Sequence, residues 1–333
     1  MASRGYSIWL YALGYFACYA PYSALTKALS RGSLPGMTAP LDGFALLPVT
    51  TLASLVAMFA FLTVSGWWRY AGRRRVGGRE LPWPSRWTFL SGIATGAVIA
   101  TTTLAYTFDG VSIVFVMLLM RGGVLILAPI VDATSGRRVR WFSWVGLGLS
   151  LAALIVAFAE EGGYDITLLC AVDVAIYLAA YFVRLRFMSR LAKRDEGDAS
   201  RRYFVEEQMV ATPAIVLALA LYALVGRGEI AAALRSGFGD VWASPALAAA
   251  LLTGALSQGT GIFGGLVLLD SRENTYCVPV NRVSSILAGV LAGAGLSALD
   301  MGPPPSAYEL AGAGLVVLAI AVLAAPSRPR QKR

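Results

Sequence analysis

The chain has 333 residues, 57% of them hydrophobic and only 14% charged, with a net charge of +9 and no histidine. A mean hydropathy of +0.65 places it outside the soluble class. The missing imidazole excludes histidine metal sites and histidine-dependent catalytic triads, and no cofactor is implied.

In chain order, apolar runs of about 20 residues, each long enough to cross a bilayer core as helix, recur ten times. They lie at roughly 7–29, 43–66, 87–107, 111–131, 141–159, 165–186, 205–226, 245–269, 273–297 and 306–325. They are rich in Gly and Ala, which suits close helix packing in lipid, and their pattern is not the alternation of barrel strands. The expected fold class is all-α and integral to the membrane. The first run follows Arg4 and is too long for a signal peptide, so it reads as a retained first helix. Pro48 and Pro213 are expected to bend the second and seventh helices. Cys18, Cys170 and Cys277 fall inside spans without paired spacing and read as small packing residues.

The positive charge is unevenly distributed. Arg69, Arg73, Arg74, Arg75, Arg79 and Arg86 separate spans two and three; Arg137, Arg138 and Arg140 separate four and five. Arg190, Lys193, Arg194, Arg201 and Arg202 separate six and seven, and Arg328, Arg330, Lys332 and Arg333 end the chain. Ten spans put all of these on one side. The positive-inside rule then places both termini in the cytoplasm of a multi-pass protein, with a bacterial inner membrane as the expected location. The charge is topological, so no nucleic-acid partner is expected; the lipid bilayer is the expected surrounding.

The two halves, 1–161 and 162–333, match in order. Residues Ala20 to Arg31 align with Ala179 to Arg190, which pairs Lys27 with Arg186. Asp42 and Pro48 align with Glu207 and Pro213, Asp109 and Arg121 with Asp270 and Arg282, and the glycines Gly146 and Gly148 with Gly312 and Gly314. Each half holds five spans, an odd number, so the second copy enters the membrane upside down. The expected fold is ten transmembrane helices in two inverted five-helix repeats, an arrangement that places a substrate site between the halves near the midplane.

Five plus five helices, with an arginine in the fourth of each half and the pattern Met120-Arg121-Gly122-Gly123…Ala128-Pro129, resemble the drug/metabolite transporter superfamily in its EamA-like ten-helix branch. The resemblance covers nearly the whole chain and implies a secondary transporter, not an enzyme. Sugar-phosphate and nucleotide-sugar translocators are distant members, and the former hold phosphate with cations from the fourth and ninth helices. Arg121 and Arg282 occupy similar positions, although the basic pair of those relatives is here the single arginine of Asn281-Arg282.

A charge at the bilayer centre costs about 2.5–3.5 kcal/mol on insertion scales, so such a residue usually faces a pathway or a partner. Asp109 and Asp270 lie twelve residues before the two arginines, about 18 Å away along a helix, and neither is a direct local partner. Guanidinium suits bidentate recognition of carboxylate and phosphate. The expected ligand is a small polar anion, phosphorylated or carboxylated, held by Arg121 and Arg282 with hydrogen bonds from Tyr106, Tyr177, Tyr276, Asn281 and Gln258. Flipping of a lipid-linked anion on the same scaffold is the alternative. Lys27, Asp42 and Asp109 fall at one end of their spans and Arg186, Glu207 and Asp270 at the other, a pattern expected of two gates closed by ion pairs. Asp173, inside span six, is the expected coupling group.

Overall fold

The computed structural model describes residues 4–108, 113–134, 141–158, 167–192, 198–270 and 274–324. In chain order its helices are α1 (Arg4–Arg31), α2 (Gly43–Val64), α3 (Arg86–Ala105), α4 (Ile113–Thr134), α5 (Trp141–Phe158), α6 (Leu168–Leu191), α7 (Ala199–Val225), α8 (Glu229–Phe238), α9 (Leu247–Leu268), α10 (Asn274–Ala298) and α11 (Ala307–Ala324). All but α8 have 18 residues or more and stand where the apolar runs stand. Seven are long and apolar enough, by length and composition, to cross a membrane. Leu10, Leu13, Val56, Leu217, Leu252 and Leu291 are exposed on their outer faces, as side chains solvated by lipid would be. The architecture is that of an all-α, multi-pass membrane protein.

Helix ends follow local chemistry. Asp42 caps α2, its Oδ1 accepting from the amides of Phe44 at 2.8 Å and Ala45 at 3.3 Å. Ser85 caps α3 and Thr167 caps α6 in the same way. Ser306 and Glu309 form a reciprocal capping box at the start of α11, at 3.1 and 3.0 Å. The largest departure from the apolar runs is α7, which begins at Ala199. Its charged first turns stay helical because Arg202 and Glu206 pair one turn apart at 2.7 Å.

Two elements are absent from the apolar pattern. Between α2 and α3, β1 (Arg73–Val76) and β2 (Arg79–Pro82) form an antiparallel hairpin in the register Val76 to Arg79, Arg75 to Glu80 and Arg74 to Leu81. Gly77 and Gly78 turn it with φ of +58° and +80°, the left-handed pair that a two-residue primed turn requires. Buried Glu206 anchors both flanks, accepting from Gly72 N and Ser85 N at 3.0 Å each and from Thr88 Oγ1 at 2.8 Å. The second element, α8, buries Ala231, Leu234 and Gly237, a three-residue spacing that puts one face against α2.

Packing of the long helices is set by small residues. A Cβ on Gly254 of α9 would collide with Thr50 O of α2, and Ser54 Oγ donates to Gly254 O at 2.7 Å. Gly92 and Gly96 of α3 also lie close to α7, where a Cβ would meet Glu207 O at 2.8 Å and Ala211 O at 2.7 Å. Backbones touch there, and dispersion replaces the hydrophobic drive that lipid removes. Around these contacts α1 packs on α9 and α10, α6 on α3 and α4, α5 on α11, and α4 on α10. Pro48 and Pro213 lie inside α2 and α7, as do Pro21, Pro129 and Pro279 inside α1, α4 and α10. Gly254→Ala is expected to destabilise the protein by about 1–3 kcal/mol through overpacking. Gly148→Ala, with nothing within 4 Å of the new methyl, should leave it unchanged. Thermal unfolding of the two variants in detergent checks this, and equal midpoints would refute the close-packing account.

Candidate functional site

Arg121 and Arg282 are each the ninth residue of their helices, α4 and α10, and both are fully buried. Both point at one phenol. Arg121 Nη1 donates to the Tyr177 hydroxyl, and Arg282 Nη1 donates to the same oxygen at 3.4 Å. Arg121 Nη2 donates to the Tyr19 hydroxyl. The guanidinium carbons also lie over aromatic faces, Arg121 5.1 Å from the Tyr19 centroid and Arg282 4.7 Å from that of Tyr181. Among the described residues neither arginine meets a carboxylate, and Arg121 Nε, Arg282 Nε and Arg282 Nη2 have no hydrogen-bond partner.

The tyrosines reach the arginines because of helical spacing. Tyr15, Tyr19 and Tyr22 sit four and three residues apart on one face of α1, while Tyr177, Tyr181 and Arg184 repeat that spacing on α6. Tyr106, at the end of α3, shares a 2.7 Å hydrogen bond with the Tyr19 hydroxyl, and Tyr22 shares one of 2.9 Å with Thr103. The result is a cage of tyrosines in which two cations are met by hydroxyl oxygens and ring faces.

Beside the cage lies a cavity of about 60 Å³. Its walls are Tyr15, Tyr19 and Tyr22 of α1, four residues of α3, four of α9 before Gly265 and Leu268, and Arg121, Tyr181, Arg184, Gln208 and Asn281. Several buried polar atoms around it have no partner among the described residues: Thr95 Oγ1, Gln208 Oε1, Asn281 Oδ1 and both amide atoms of Gln258. Asn281 Nδ2 reaches Gly264 O at 3.4 Å. The site therefore combines two cations with a set of neutral hydrogen-bonding groups. Its chemistry suits an anion that also carries polar substituents.

Of the expected site residues, Arg121, Arg282 and Tyr177 meet directly; Tyr106 joins through Tyr19, and Asn281 lines the cavity. Gln258 is buried one turn from the cavity-lining Gly261. Asp109 lies outside the described residues, as does the side chain of Tyr276.

The charged periphery differs from two expected pairings. Glu207 is held by Arg184, not Arg186: Nε and Nη2 donate to its two oxygens at 3.0 and 2.9 Å. Ser91 Oγ at 2.8 Å and the Tyr203 hydroxyl at 3.1 Å complete the carboxylate. Two residues turn a helix by about 200°, so Arg186 faces away from the side that carries Tyr177, Tyr181 and Arg184. Asp42 is an exposed helix cap and does not close on Lys27. Buried Lys27 donates to Phe108 O at 2.8 Å. Asp270 is half-buried at the end of α9, where its carbonyl accepts weakly from Cys277 Sγ at 3.8 Å. Asp173 is buried in α6, with Oδ2 lacking a partner among the described residues.

Arg184, Gln208, Thr95, Tyr203 and the three α1 tyrosines escaped the expected set. The signal for the tyrosines was present, since Tyr15-x3-Tyr19-x2-Tyr22 is a one-face spacing. No protein-family model matches the chain, and no curated protein matches it. A solved structure described only as "Crystal structure of protein" superposes with a TM-score of 0.51 at 16% identity, covering 95% of this chain and 96% of that one. At that identity the likeness speaks for the fold alone.

Glu207→Gln leaves Arg184 as an uncompensated buried charge and should cost about 3–5 kcal/mol. The double change Arg184→Met with Glu207→Leu should recover much of that loss, because an apolar pair of similar volume carries no desolvation penalty. Unfolding midpoints measure both. A single variant as stable as the parent would rule out the ion pair as a structural tie.

Proposed function

We propose that this chain is a secondary transporter of the drug/metabolite kind that moves a small polar anion, phosphorylated or carboxylated, held between Arg121 and Arg282. The observation that carries the reading is the convergence of two buried guanidiniums on the Tyr177 hydroxyl with no carboxylate beside them among the described residues. Two such charges in low dielectric are costly, and an anionic ligand offsets the cost. The space of about 60 Å³ suits a few waters, at roughly 10–15 Å³ each, so a metabolite enters only when helices part.

The inverted-repeat reading draws support from the cavity walls. Thr95, Val98, Ile99 and Thr102 of α3 correspond, at a constant offset of 162, to Ser257, Thr260, Gly261 and Gly264 of α9, and all eight line the cavity. The same offset relates Tyr15, Tyr19 and Tyr22 to Tyr177, Tyr181 and Arg184, and Gly92 to Gly254. Arg121 stacks on Tyr19 as Arg282 stacks on Tyr181. Packing follows suit: α1 on α9 mirrors α6 on α3, and α2 on α9 mirrors α7 on α3. On this reading the halves are related by a twofold axis in the membrane plane, and the two arginines hold opposite sides of one anion. The Arg184–Glu207 cluster then closes the cytoplasmic end, where the arginine-rich loops lie.

Transport in proteoliposomes, after a thermal-shift screen of phosphate and carboxylate metabolites, tests the site. Arg121→Ala and Arg282→Ala should each abolish uptake, while Arg121→Lys retains part of it by keeping charge without the planar fork. Normal transport by both alanine variants would make the arginines structural.

Coupling follows from the same charges. An empty, closed cavity leaves two cations unmatched, so vesicles preloaded with substrate should take it up faster than empty ones. Asp173, if ionised, replaces part of the ligand charge and permits net movement. Equally fast uptake into empty vesicles by the parent protein and by Asp173→Asn would defeat the exchange mechanism.

A further inference from the structure

Away from the cage, the arginine hairpin and the start of α3 form a second site. A groove of about 520 Å³ runs between them and α7, lined by Arg74, Trp83, Arg86, Phe89, Met209 and Val210 among others. The two arginines are braced by indoles: Arg74 Cζ lies 5.3 Å from the Trp83 centroid and Arg86 Cζ 4.6 Å from that of Trp87. We infer that this groove binds an anionic phospholipid, its phosphate between Arg74 and Arg86 and its acyl chain along Phe89, Met209 and Val210.

Three features select that occupant. The first is charge: the hairpin carries Arg73, Arg74, Arg75 and Arg79 against the single acid Glu80, which lies 3.5 Å from Arg75. A choline or ammonium headgroup meets that excess unfavourably, whereas a net negative headgroup is attracted. The second is the apolar floor, which continues into exposed Leu90 and Ile93 of α3. A soluble phosphate makes no use of this strip, while an acyl chain covers it. The third is preorganisation. Glu206 holds the backbone at both flanks of the hairpin, Gly72 N and Ser85 N, so the arginines need not be ordered by the ligand. Exposed Trp83 lines the groove and exposed Trp87 follows Arg86, placed as aromatic anchors of a bilayer interface are.

The groove is separate from the transported anion's site but mechanically close to it. Phe89 and Met209 lie two residues from Ser91 and Glu207, which bond across α3 and α7. A lipid in the groove therefore braces the helix pair that carries the Glu207 cluster.

Native mass spectrometry and thermal unfolding of the purified protein in detergent test this, with phosphatidylglycerol, phosphatidylcholine or soluble glycerol phosphate added. Phosphatidylglycerol should bind and raise the unfolding midpoint, and phosphatidylcholine should do neither; any shift by glycerol phosphate, which the Arg121 and Arg282 site can hold, should be unchanged when Arg74 or Arg86 is replaced. Arg74→Gln and Arg86→Gln should each weaken phosphatidylglycerol binding about fivefold, and the double variant about 25-fold. Arg227→Gln removes the same charge from another loop and should leave binding unchanged. Equal binding of the two lipids, a glycerol phosphate shift that Arg74→Gln and Arg86→Gln abolish, or equal losses from Arg227→Gln and the groove variants would overturn the assignment. Should the double variant fail to fold, the two single variants carry the comparison.

Discussion

Two guanidiniums share the Tyr177 hydroxyl, and much of the surrounding structure serves to make that arrangement tolerable. Phenol hydroxyls and ring faces solvate the cations in place of carboxylates. A carboxylate in their place would form a closed ion pair and compete with any anionic ligand. The one-face spacing of tyrosines on α1 and α6 is what delivers this partial solvation, since both helices must present hydroxyls at the same depth. The orphaned nitrogens that remain are the directions from which another acceptor is still favourable.

Carboxylates are used elsewhere, and adjacent ones do different work. Glu206 faces the hairpin and accepts backbone amides, so it fixes a loop. Glu207, about 100° around the helix, faces inward and neutralises Arg184. A single residue step thus separates anchoring of the loop from compensation of a buried arginine. The bare glycine contacts of α3 with α7 bring Ser91 within reach of Glu207, so close backbone packing and the polar cluster depend on each other.

Much of the fold was legible because lipid imposes a length. A helix that must cross an apolar core declares itself as about 20 apolar residues, and the long helices begin and end close to those runs. The hairpin and α8 were less legible, since neither is apolar throughout. Gly77-Gly78 between short polar strands was the only local signal for the turn, and α8 shows its face only once α2 is there to receive Ala231 and Leu234. Within the site, Arg121 and Arg282 stood out as charges inside apolar runs, and their shared environment followed from their equivalent positions.

Sequence by itself determined the class of chain, the placement of its long helices and the two arginines buried within apolar runs, because each follows from the cost of polar groups in lipid. It did not determine partners. Pairing Lys27 with Arg186 by local similarity implied Arg186 as the inner cation, yet the helix turns that side chain away and brings Arg184 to Glu207. Asp42, chosen for its charge, is spent on the amides of its own helix. Which charge meets which depends on rotation about each helix axis and on where glycines let backbones touch. Those are properties of pairs of helices in three dimensions, and no single segment carries them.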